Sequence, residues 1–92
     1  MSNLTMYVDS GVRSSAARAH LQNLGVAFVE INVTADENAN TFLNEQQRPV
    51  QKFNLPQFYV GTTLAWENGF KDIVELTAEQ INEKVEEINA RS

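Results

Sequence analysis

The sequence predicts an α/β fold in the order β-α-β-α-β-β-α, a four-stranded mixed sheet with helices on both faces. Three observations carry this. Short β-like runs alternate with amphipathic helical stretches along the whole chain. The first two runs are joined through a helix, which makes their strands parallel with a right-handed crossover. The last two are separated only by Gly61 and Thr62, which makes them an antiparallel hairpin.

Each element has its own signal. "LTMYV" (4–8) alternates Leu4, Met6 and Val8 against Thr5 and Tyr7, the period of a strand. Over 12–24, Ala17, Leu21 and Leu24 recur on one helical face, and Gly25 is a natural stop. "VAFVEINV" (26–33) is β-branched and aromatic, a second strand. Thr34 and Glu37 have capping-box spacing, opening a helix to about Glu45 with Ala39, Phe42 and Leu43 on its buried side. Residues 46–55 form a polar connector. "PQFYV" (56–60) and "TLAW" (63–66) are the hairpin strands, and "GFKDIVEL" reads as a turn with a short helical piece. Thr77 and Gln80 form a second capping box before a last helix with Ile81, Val85 and Ile88 on one face.

At 92 residues the chain is expected to be one domain over 1–92. Its 42% hydrophobic content is ordinary for a globular protein, and the sequence offers neither a membrane-spanning run nor a signal peptide. The net charge of -5 argues against nucleic acid, which is bound by cationic surfaces. There is no cysteine, so disulfides, thiolate metal sites and thiol catalysis are excluded for this chain. A lone histidine, His20, leaves no histidine-based zinc site, and no metal is expected.

Four stretches, in order, resemble the glutaredoxin branch of the thioredoxin fold, including the glutaredoxin-like NrdH-redoxins. They are "GVRSSAARAHLQNLGVAFVEINV", "NLPQFYV", the hairpin after it, and "WENGFKD". The resemblance covers nearly the whole chain. Laying Leu21 on the family's leucine, with Ala17 and Arg18 on its Ala-Lys, puts Gly11 and Ser14 on the two cysteine positions. It implies a thioredoxin-like fold of the glutaredoxin subtype and a cis Leu55-Pro56 bond. It also implies that Leu55 pairs its main chain with a bound cysteinyl peptide.

Family activity is thiol-disulfide exchange through a thiolate at a helix N-terminus. Serine forms no mixed disulfide, and His20 lies two turns into the helix, poorly placed to activate Ser14. The chain is therefore expected to be redox-inactive, with no catalytic residues. The leading expectation is a binding module that recognises a protein or peptide through the ancestral active-site end, as a cytoplasmic monomer in a bacterial or viral setting. The alternatives are a redox electron donor seen as a cysteine-depleted variant, and noncatalytic glutathione binding.

The candidate binding residues are Ser10, Val12, Arg13, Ser14, Ser15, Lys52, Leu55, Pro56, Gly69, Phe70, Lys71 and Asp72. Ser10, Ser14 and Ser15 stand at a helix start, where N–H groups attract anions or a glutathione thiolate; the plainer role of Ser10 is a helix cap. Gln51 or Lys52 is a candidate for a glutathione carboxylate. Two departures count against glutathione: Lys71 stands where members that bind it carry an acid, with Asp72 one place late, and Asp9 stands where many carry lysine. Arg13, Arg48, Lys52 and Lys71 are expected to converge at one end, which favours an acidic partner. Trp66 is a candidate interaction anchor there. The last helix, with Glu79, Glu83, Glu86 and Glu87, reads as a solvated face.

Overall fold

The computed structural model describes residues 3–46 and 55–91. The elements are β1 (Leu4–Val8), α1 (Val12–Leu24), β2 (Val29–Asn32), α2 (Glu37–Glu45), β3 (Gln57–Val60), β4 (Thr63–Leu64), α3 (Phe70–Ile73) and α4 (Ala78–Arg91). The sheet order is β2-β1-β3-β4. β1 runs parallel to β2 and antiparallel to β3, and β3 is antiparallel to β4. The four-stranded mixed sheet is as predicted, and the short helical piece after the hairpin forms a helix of its own, α3, one more than the predicted string counts.

Alternation along β1 and β3 divides the buried residues between two layers. Leu4, Met6 and Val8, with Phe58 and Val60, meet Ala17 and Leu21 of α1, Ile73 of α3, and Ile81 and Ile88 of α4. On the other face Tyr7 and Tyr59 meet Ala39 and Leu43 of α2, together with Val33 and Leu55. Tyr7, Phe42 and Tyr59 interlock there, the two tyrosine rings edge-to-face at 5.5 Å. Burial, and secondarily the Asp36 carboxylate, push the Tyr7 phenol above its ordinary pKa, so it offers no anionic group.

α1 ends as its glycine foretells. Gly25 adopts the left-handed conformation, its N–H donates to the Gln22 carbonyl, and the Val26 N–H donates to the Leu21 carbonyl. That pattern satisfies two carbonyls that a helix end leaves open. It also corrects the predicted second strand: Val26 belongs to the end of α1, and β2 is only four residues long. Arg18 of α1 reaches Glu30 of this edge strand with two bonds, one of 2.8 Å from Nη2. These bonds hold the guanidinium above its ordinary pKa.

The start of α2 also differs. The Thr34–Glu37 capping box does not form; the Asp36 carboxylate caps the helix by accepting the Ala39 N–H at 3.1 Å. The cause is local competition. Asn32 Oδ1 accepts both the N–H and the hydroxyl of Thr34, which takes the N–H that the box would give to Glu37 and turns the hydroxyl toward Asn32. The second box does form. Thr77 N–H donates to Gln80 Oε1 at 2.9 Å, and Gln80 N–H donates to Thr77 Oγ1 at 3.2 Å. Thr77→Ala is expected to lower stability by about 1 kcal/mol, read from the urea midpoint.

Among the described residues no helix is long and apolar enough to cross a membrane.

Candidate binding groove

Three segments meet at one end of the sheet: the start of α1, the entry to β3, and the turn leading from β4 into α3. Between them lies a groove of about 410 Å³. Arg13 comes from the first segment, Leu55, Pro56 and Gln57 from the second, and residues 66–71 from the third. The Leu55–Pro56 peptide bond is cis.

The groove joins apolar walls to charged edges. Trp66 packs edge-to-face on the fully buried Phe58, with ring centroids 6.0 Å apart, so its indole rests on the core. Arg13 and Lys71 bring positive charge and Glu67 brings negative charge. Arg13 and Glu67 are both engaged in interactions within the chain. Gln57 is only 2% exposed, and its amide nitrogen and oxygen find no hydrogen-bond partner among the described residues. Buried amides are normally paired, because leaving one unpaired costs about 1–3 kcal/mol.

Gly69 shapes the third segment. Its φ of 56° and ψ of -113° suit glycine alone, and a Cβ built there would overlap the Pro56 carbonyl oxygen. The turn therefore lies directly on the cis-proline segment. Asp72 holds it from below by accepting the Asn68 N–H at 3.2 Å.

The start of α1 is arranged differently from expectation. Asp9 Oδ1 accepts the Gly11 N–H at 2.9 Å and the Ser14 hydroxyl at 3.0 Å, and the Asp9 N–H donates to Ser14 Oγ at 3.3 Å. Ser14 is 1% exposed. The N-terminal boundary of α1 is Gly11, which has no side chain to cap with, so Ser10 is not the cap.

Of the predicted residues, the structure brings Arg13, Leu55, Pro56, Gly69, Phe70 and Lys71 together in the groove. Lys52, with Arg48 and Gln51, lies outside the described residues. Ser10, Val12 and Ser15 are exposed but line no part of the groove, and Val12 is 86% exposed. Ser14 also lies outside the groove lining, buried and bonded to Asp9. Asp72 turns its carboxylate to the Asn68 N–H and does not line the groove. His20 also stands apart from the groove, and its Nε2 is buried without a hydrogen-bond partner among the described residues.

The sequence pattern did not single out Gln57, Glu67 or Asn68. A signal existed for Asp9: aspartate two residues before a glycine is the pattern of an Asx turn, with the side chain accepting the N–H two residues on. Among the described residues no cluster of three or more His, Cys, Asp or Glu side chains is placed to hold a metal ion.

Comparison with known protein families returns no matching family, and comparison with curated proteins returns no match.

Proposed function

We propose that this chain is a thiol-free domain of the thioredoxin-like fold, glutaredoxin subtype, that recognises a protein or peptide through the groove between Leu55–Gln57 and Trp66–Lys71. The groove itself carries this reading: an indole seated on the core, an apolar Leu55–Pro56 wall and a lysine edge. Concave sites with apolar walls and few polar groups are what binding uses. Lys71 on a chain of net charge -5 favours an acidic segment in the partner.

The redox alternative fits less well. An attacking cysteine would stand at 11, where this chain has glycine. Glutathione binding fits less well, because Lys71 lines the groove where members that bind it carry an acid, and Asp72 does not line it.

A phage-displayed library of random peptides, selected on the protein and counter-selected on Lys71→Glu, tests the proposal. Enriched peptides should shift the amide NMR signals of 55–57 and 66–71. Absence of enrichment, or shifts confined to another face, would overturn it.

Gln57 ties binding to stability. Gln57→Met removes an unpaired buried amide and keeps the side chain's length, so stability should rise by about 1 kcal/mol. Affinity for selected peptides should fall, because the wall loses its only amide from β3. Thermal melts and fluorescence titration of Trp66, the sole tryptophan, measure both effects.

A further inference from the structure

We propose that Asn68 is a site of spontaneous covalent change: its side-chain amide is lost as ammonia, and an acid is left on the edge of the groove. The reaction needs no co-reactant but water. The Gly69 backbone nitrogen gives up its proton and bonds to Asn68 Cγ. The C–N bond of the side-chain amide breaks, and the departing nitrogen takes that proton away as ammonia. Water then opens the resulting succinimide. Opening at the Cγ carbonyl leaves aspartate, and opening at the main-chain carbonyl leaves isoaspartate, with the main chain routed through the side chain.

Sequence and structure together select this site. Asn68 is the one asparagine of the chain that precedes a glycine, so no Cβ shields the attacking nitrogen. It is exposed, it lines the groove, and its side chain makes no hydrogen bond among the described residues. The Gly69 N–H donates to the Trp66 carbonyl at 3.3 Å, long for such a bond. Other asparagines are held. Asn32 Oδ1 accepts two bonds from Thr34. Asn23, Asn38, Asn40, Asn44, Asn82 and Asn89 lie within helices, whose main chain would have to open first. The fold also fixes the reactive pair from one side, because only glycine suits the backbone at 69 and its contact with the Pro56 carbonyl oxygen.

The consequence rests on the groove's role in recognising an acidic segment. Among the described residues Arg13 and Lys71 line it against Glu67 alone, and a carboxylate at 68 cancels that surplus. The new charge also stands on the residue whose N–H the Asp72 carboxylate already accepts, so it meets like charge. Acidic partners are therefore released as the protein ages.

Incubation of the folded protein at mildly alkaline pH, followed by peptide mapping, tests the modification. Residue 68 should convert to a mixture of aspartate and isoaspartate faster than any other asparagine. Asn68→Gln should keep its amide over the same period, since its longer side chain closes a ring less readily. Absence of conversion at 68 in the folded protein would overturn the proposal, as would faster conversion at another asparagine.

Asn68→Asp tests the consequence without ageing. It should bind peptides selected on the unsubstituted protein about threefold more weakly. Equal affinity would overturn the release of acidic partners. If no peptide is selected, recognition by the groove fails, and the mapping still decides the modification.

Discussion

Gly69→Ala is expected to destabilise the fold by about 3 kcal/mol or more and to abolish recognition by the groove. Two penalties add at this position. The backbone sits at φ 56° and ψ -113°, which a Cβ disfavours. The new methyl would also overlap the Pro56 carbonyl oxygen, a main-chain atom that moves only if the groove wall moves. Gly25→Ala separates the two effects. Gly25 has a φ of 72°, yet a Cβ there meets nothing within 4 Å. Its substitution should cost about 1 kcal/mol and leave the groove intact. Urea unfolding of both variants, with amide NMR of 55–57, measures the difference. Equal costs would mean that contact with Pro56 is not what requires glycine at 69.

Phe58→Ala should have an effect of similar size for a different reason. Phe58 is fully buried in the larger core layer, in the middle of β3, facing Trp66. Removing a buried phenyl ring costs about 3–5 kcal/mol, part of it for the cavity left behind. The indole of Trp66 would lose the ring beneath it and tilt, so the fluorescence of the sole tryptophan should change before unfolding begins. Phe58→Leu should fall well short of that loss, because most of the volume is retained. The ordering of the two variants by denaturant midpoint, together with the emission spectrum in the native baseline, checks the claim that the core holds the groove's indole in place.

The parts of the fold set by long-range patterning were legible in the sequence. Leu4, Met6 and Val8 share a face, Ala17 and Leu21 share a helical stripe, and Gly25 ends α1. What resisted reading were contests between side chains for the same backbone groups. Thr34 has the right residue type and spacing for a cap, but Asn32 takes its N–H and hydroxyl first, and Asp36 does the capping. Val26 looks like the start of a strand by composition, and its N–H instead closes α1 onto Leu21. The hairpin shows the same limit: β4 pairs over two residues, and Trp66 leaves the strand to line the groove.

The site follows a similar division. Six predicted residues meet in the groove because the order of elements brings their segments to one end of the sheet. Ser14 and Asp72 have residue types suited to ligand contact, but each is held by a local hydrogen bond, Ser14 by Asp9 and Asp72 by the Asn68 N–H. Gln57 was hidden for the opposite reason. In sequence it is an ordinary polar residue beside a proline, and only its burial without a partner among the described residues makes it notable.

The central claim is that this chain has given up thiol chemistry and keeps the groove for recognition. The most direct measurement is an amide NMR titration of the unsubstituted protein with reduced glutathione, controlled for salt. The account predicts no saturable shifts at millimolar glutathione, with the signals of 10–15, 55–57 and 69–72 unmoved. Saturable shifts across those three segments would contradict it and place glutathione in the groove.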